Sequence, residues 1–178
     1  MRFMPVLAAV AVALVPAAAG SAADATITGC WFVESGDAVV ALAEEDGRII
    51  GRIVGLQEPY FLAREDRGEA GAPRTDLENP DPALRDRPMA GLAIVRGLER
   101  DGDRWTDGRI YDPQSGNSYA ARAELDDDGT LRIRGYVGSP LFGRTTRWTP
   151  ATRRPEEAAR MVEKARPVMP GSRPGPSC

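Results

Sequence analysis

Apolar and polar positions alternate with a period of two along most of this chain, and turns rich in Gly and Asp interrupt the alternation. Residues 26–34 (TITGCWFVE) put Ile27, Gly29, Trp31 and Val33 on one face, and Ser35-Gly36-Asp37 turns into residues 37–43 (DAVVALA). Residues 44–47 (EEDG) turn again into residues 48–56 (RIIGRIVGL), with Ile49, Gly51, Ile53 and Gly55 on one side. The pattern returns in residues 91–98 (GLAIVRGL), 104–112 (RWTDGRIYD), 118–125 (SYAARAEL), 130–138 (TLRIRGYVG) and 141–149 (LFGRTTRWT). Successive side chains of a strand point to opposite faces, and Gly or Asp supplies the positive φ of a tight hairpin, so each segment reads as a strand. Asp112-Pro113-Gln114-Ser115-Gly116 carries the chemistry of a type I turn closed by a left-handed Gly.

These segments predict an all-β domain over residues 24–150: an eight-stranded antiparallel up-and-down barrel, whose closure removes its own edges. An open sandwich is the competing architecture. Small residues on one face (Gly51, Gly55, Ala121, Ala123, Gly135) fit either a narrow filled barrel or one with a modest cavity.

The long connection of residues 57–90 breaks the pattern. A short extended piece is expected at residues 60–64, and the charged stretch after it (EDRGEAGAPR) is expected to be mobile. Residues 75–91 (TDLENPDPALRDRPMAG) are densest in Asp, Asn, Pro and Arg. There Asp81 reads as a helix N-cap with Pro82 at the first helical position, giving one turn that Pro88 stops. Connections this long in a compact domain are usually functional or disordered, which makes this one a candidate lid. After Pro150 the period changes: residues 155–166 (PEEAARMVEKAR) place Ala158, Met161, Val162 and Ala165 on one stripe. Glu156 and Glu157 at its start and Lys164 and Arg166 at its end suit the helix dipole, so a helix packed outside the barrel is expected. Residues 167–178 are Pro/Gly-rich and expected to be disordered unless Cys178 is tied down.

The amino terminus changes the setting. Arg2, the apolar run VLAAVAVALV and the small residues AAAGSAA read as a secretory signal peptide over residues 1–23, cut after Ala23. The run falls short of the roughly 20 apolar residues of a spanning helix, so no stable membrane span is expected after cleavage. The expected location is the periplasm or outside the cell. Net charge is −3 with signs interspersed, which argues against nucleic-acid or anionic-membrane partners. The chain has no His, which removes Ser-His-Asp and Cys-His nucleophiles and the common zinc sites. In an oxidising compartment Cys30 and Cys178 are able to pair, remain free or bond between molecules.

One set of motifs is distinctive: Asp76, Asn79-Pro80-Asp81-Pro82-Ala83-Leu84-Arg85, Arg87-Pro88 and Gly91-Leu92, then Gly108, Ile110-Tyr111-Asp112-Pro113, Gly116 and Tyr119, then Leu131, Arg134-Gly135-Tyr136 and Phe142-Gly143-Arg144-Thr145 with Trp148. In this combination the chain resembles the bacterial family known as domain of unknown function 2147, over roughly residues 29–149. The resemblance implies an exported, calycin-like (lipocalin-type) barrel with no established activity or cofactor. Many relatives carry Cys in the second hairpin and before the Gly-Leu pair, where this chain has Glu44-Glu45-Asp46-Gly47 and Met89-Ala90. No role built on those thiols carries over. Gly29-Cys30-Trp31 is also similar to the opening Gly-x-Trp of calycins, in which a late Arg covers the Trp ring. Arg144 or Arg147 is the expected counterpart, with Trp148 a further structural residue.

Candidate ligand-binding residues are Asp76, Asn79, Asp81 and Arg85 on the lid, with Tyr111 and Tyr119 flanking the Asp-Pro turn. Read simply, Asn79 and Asp81 make local turn and cap hydrogen bonds, Arg85 pairs with Asp76, and the tyrosines pack. Asp and Asn oxygens suit Ca²⁺, but this spacing matches no EF-hand loop and no metal is expected. Three functions follow: a module binding a small apolar or amphipathic ligand, an envelope accessory protein with a filled barrel and an unknown protein partner, or an enzyme with Asp76 or Asp81 as base and Tyr111 or Arg85 holding developing charge.

Overall fold

A computed structural model describes residues 26–171 and Cys178. The expected signal peptide lies outside the described residues, as do residues 172–177 of the expected tail. Among the described residues eight strands follow one another: β1 (Gly29–Phe32), β2 (Ala38–Glu45), β3 (Arg48–Leu56), β4 (Ala93–Asp101), β5 (Arg104–Asp112), β6 (Asn117–Leu125), β7 (Leu131–Tyr136) and β8 (Gly143–Pro150). Each pairs antiparallel with the next, and β8 returns to β1 with Trp31 opposite Pro150, so the sheet closes into a barrel and not a sandwich. Asp46 and Gly47, both at positive φ, make the two-residue β2–β3 turn, as hairpin twist demands.

The connections β1–β2, β3–β4, β5–β6 and β7–β8 all lie at one end, the mouth. At the other end the barrel is packed solid. Leu42, Leu98, Trp105, Leu131, Ile133 and Trp148 are buried there in one cluster, and the Trp31 indole donates to the Ile27 carbonyl at 2.9 Å. Glycines admit these large residues: a Cβ on Gly51 would stand 2.6 Å from Leu42, and one on Gly108 2.5 Å from Leu98.

One strand departs from simple alternation. Val39 is opposite Gly55 but Val40 is opposite Ile53, so Val54 is an extra residue in β3. This bulge turns Gly55 away from the interior face expected for it. A Cβ at Gly55 would lie 3.1 Å from the Val162 nitrogen, and glycine there lets helix α1 (Pro155–Ala165) approach β3 closely. Ala158 and Met161 of α1 pack on Phe32, Val39 and Val54 in a second cluster outside the barrel, as the stripe predicts. Cys30 of β1 is disulfide-bonded to Cys178, their Cα atoms 5.6 Å apart, so the chain terminus is anchored on the first strand.

Candidate functional site

β4 falls short of its neighbours at the mouth. Its register with β5 ends at Val95 opposite Ile110, and residues 57–92 fill the space beyond. Thr75 bridges to Pro88, and the Asp76 amide donates to the Arg87 carbonyl, so the lid folds back on itself as a narrow loop.

That fold-back decides which side chains meet. Asp76 is fully buried. Its Oδ2 accepts from Arg87 Nε at 2.9 Å, Arg87 Nη2 at 2.7 Å and Asn79 Nδ2 at 2.8 Å. Its Oδ1 accepts from the Tyr111 hydroxyl at 2.6 Å, and Asn79 Nδ2 also reaches the Tyr111 oxygen at 3.1 Å. The guanidinium of Arg87 lies over the Tyr111 ring, 5.8 Å from its centroid. A carboxylate this deep is tolerable only because charged and neutral donors replace its water. The Tyr111 hydroxyl is held above the usual tyrosine range, first by burial, then by its hydrogen bond to the Asp76 carboxylate and by that charge. Beside this hub, Gly116 closes the β5–β6 turn at φ 72°, its amide 2.8 Å from the Asp112 carbonyl, as expected. A Cβ there would stand 1.9 Å from the Glu78 carbonyl oxygen, so the turn and the lid touch backbone to backbone.

Arg87 takes the place expected for Arg85 as partner of Asp76. The bridge sets residue 87 directly across from residue 76, whereas Arg85 ends the one-turn 3₁₀ helix (Pro82–Leu84) and its Nε donates to the Asn79 carbonyl at 2.8 Å. Asp81 caps that turn, accepting from the Ala83 amide, and Asn79 Oδ1 accepts from the Asp81 amide. Residues 65–74, expected to be mobile, are folded with the rest of the lid's first half around the buried Phe61. Its amide donates to the Ala72 carbonyl and its own carbonyl accepts from Gly71, while the Arg74 guanidinium lies 5.2 Å over its ring. Glu65 is pulled below the usual carboxylate range, first by the Leu62 amide and then by Arg74.

Among the described residues no Arg covers Trp31. Arg147 and Trp148 are adjacent on β8 and therefore face opposite ways, Trp148 inward and Arg147 exposed. Arg144 sits at the mouth, six residues along β8 from the partner of Trp31. The aromatic of β1 that receives a late Arg is Phe32, on the outer face, with Arg154 4.0 Å over its ring.

Above the packed floor the barrel opens into a cavity of about 1060 Å³. Ile53, Ile94, Ile110, Tyr119 and Trp148 form apolar parts of its wall, with Met89 of the lid beside them. Arg74, Arg144, Glu34, Asp37 and Glu58 stand among the polar groups that line it. Of the six candidate residues, Tyr111 and Tyr119 line this cavity. Asp76 and Asn79 brace Tyr111, while Asp81 and Arg85 shape the lid and do not line the cavity. Among the described residues no three Asp, Glu or Cys side chains gather as metal ligands do. Sequence reasoning missed Arg87, Arg74 and the cavity-lining apolar pair Leu141 and Phe142. That pair follows Ser139-Pro140 without alternating, which is the one signal that it belongs to the turn and not to β8.

A closed eight-stranded barrel is the architecture of lipocalins, and the comparisons agree on the fold. Protein HP1028 from Helicobacter pylori, described as belonging to the lipocalin family, superposes with a TM-score of 0.58 at 17% identity, covering 77% of this chain and 98% of that one. No curated protein matches this sequence. The model of the family described as "Uncharacterized protein conserved in bacteria (DUF2147)" matches residues 29–150, from the first residue of β1 to the last of β8, and the chain belongs to that family.

Proposed function

We propose that this protein binds a small apolar or amphipathic molecule in the mouth of its barrel, and that it does so after export to the periplasm or beyond. The observation that carries the reading is the cavity of about 1060 Å³ above a solid floor, with apolar and aromatic walls and a polar, charged rim. Ligand sites favour such barrel mouths, where apolar walls supply affinity and a few placed polar groups fix orientation. A chain or ring system in the shaft, with a polar end near Arg74 or Arg144, suits this distribution. The Asp76 carboxylate supports a structural role and not acid–base work, because its donors tie the lid together through Arg87 and Asn79 and to β5 through Tyr111. Native mass spectrometry of protein purified from the cell envelope tests the reading. We expect a co-purifying small molecule released by organic solvent; protein that is mass-homogeneous from every envelope preparation and takes up no amphiphile counts against it.

A further inference from the structure

The tip of the β7–β8 turn is exposed yet apolar. Val137, Leu141 and Phe142 are 68%, 84% and 78% exposed, the three most exposed large apolar side chains among the described residues. The turn is nonetheless firmly built. The Ser139 amide donates to the Val137 carbonyl, the Phe142 amide to the Ser139 carbonyl, and Gly138 takes the required positive φ. Arg134 braces it from below, with Nε 2.6 Å from the Pro140 carbonyl and Nη1 3.0 Å from the Thr145 hydroxyl. A turn held this way presents its apolar side chains in a fixed direction, and a grouped exposed apolar patch of this kind marks a binding surface.

The surroundings of the tip indicate which surface. The same three side chains line the cavity, so one apolar path runs from solvent into the barrel. On the outer wall a depression of about 310 Å³ beside Leu141 gathers Arg122, Arg132 and Arg134 with Glu124. Arg122 and Arg134 stand directly opposite each other across β6 and β7, an arrangement that costs stability unless an anion neutralises it. Arg144 adds a further exposed cation at the rim, two residues past Phe142. Of the acidic rim residues, Asp37 and Glu58 belong to the β1–β2 and β3–β4 connections, while Glu34 accepts from the Arg147 amide of β8. A second copy is a poor occupant, because a two-fold contact would bring the same arginines face to face.

We infer that this turn docks the mouth of the barrel on an anionic lipid bilayer, Leu141 and Phe142 entering the headgroup region while Arg122 and Arg144 meet lipid phosphates and Arg134 holds the turn in place. Apolar tips flanked by cations bind interfaces through both effects together. Docked so, the cavity opens toward the lipid and an apolar ligand passes between membrane and barrel without crossing water.

Flotation with vesicles tests this, using the protein as the cell delivers it, its amino terminus identified by mass spectrometry. Wild-type protein is expected to float with phosphatidylglycerol-containing vesicles at least tenfold better than with pure phosphatidylcholine, and less as salt rises. The double variant Leu141→Ser/Phe142→Ser is expected to lose at least tenfold in binding while its melting temperature shifts by no more than about 4 °C. Arg144→Glu is expected to weaken binding and flatten its salt dependence. Wild-type protein that ignores both vesicle types overturns the inference, as does a double variant that floats like wild type. A tip that instead mediates self-association, read as a dimer lost in the double variant while vesicles are ignored, overturns it equally. Because flotation does not depend on what fills the cavity, failure of the ligand reading leaves this result interpretable.

Discussion

At the floor of the barrel Gly51 and Gly108 face Leu42 and Leu98 at distances that exclude even a methyl group. At the mouth Gly135 and Thr146, on the paired strands β7 and β8, line the cavity, and the nearest atoms to a Cβ on Gly135 belong to the wall residues Ile110 and Tyr119 at 3.2 and 3.4 Å, not to a large side chain crossing the interior. Both ends use the same alternation and the same small residues. The difference lies in what opposes them: large aliphatic and indole side chains converge at the floor, whereas at the mouth the wall residues stop and a polar lid takes over. A barrel can therefore be solid for stability at one end and open for a ligand at the other.

The largest expected effects sharpen the contrast from the floor side. Trp105→Ala removes a buried floor side chain and is expected to cost about 3–5 kcal/mol in denaturant unfolding. Cys178→Ser opens a link spanning 148 residues of sequence and is expected to cost about 2–5 kcal/mol, visible as the same loss on reducing the wild type. The lid comes next. Arg87→Ala leaves the Asp76 carboxylate buried without its cation and is expected to cost about 3 kcal/mol, whereas Arg85→Ala is expected to cost under about 1 kcal/mol. Equal costs for the two would remove Asp76 as the hub of the lid. Tyr111→Phe tests the same hub through pH. Since the fold raises the tyrosine's pKa, it contributes stability that is complete below the unfolded value of about 10 and is lost as pH rises through the folded value. Wild type should lose stability more steeply than Tyr111→Phe above about pH 10. The smallest effect belongs to the rim, where Leu141→Ser and Phe142→Ser are each expected to change stability by about 0.5 kcal/mol or less.

The strand order and the outer helix were largely legible in the sequence because they depend on local rules. Alternation marked the strands, Asp46-Gly47 and the Gly116 turn marked joints at opposite ends of the barrel, and the stripe of α1 named its buried face. The bulge at Val54 was not legible, since an extra residue in a strand leaves no mark when Val and Gly occupy both sides. The lid's hydrogen-bond partners were hidden for a related reason. Arg85 and Arg87 are equally plausible partners for Asp76 by spacing, and a single backbone bridge between Thr75 and Pro88 chooses between them. Whether the barrel holds a cavity depends on summed side-chain volumes at one depth, which alternation does not report. Small inward residues fitted either outcome, and the structure shows both, one at each end.

The central claim is that the mouth holds a ligand-sized cavity while the floor does not. Titration of a fluorescent fatty-acid probe into wild type and into Thr146→Trp, which places a large ring inside the cavity wall, tests it most directly. The account predicts one saturable site in wild type and at least a tenfold loss in the plugged variant, with the melting transition preserved. Absence of saturable binding in wild type, or unchanged binding in a folded Thr146→Trp, would contradict it.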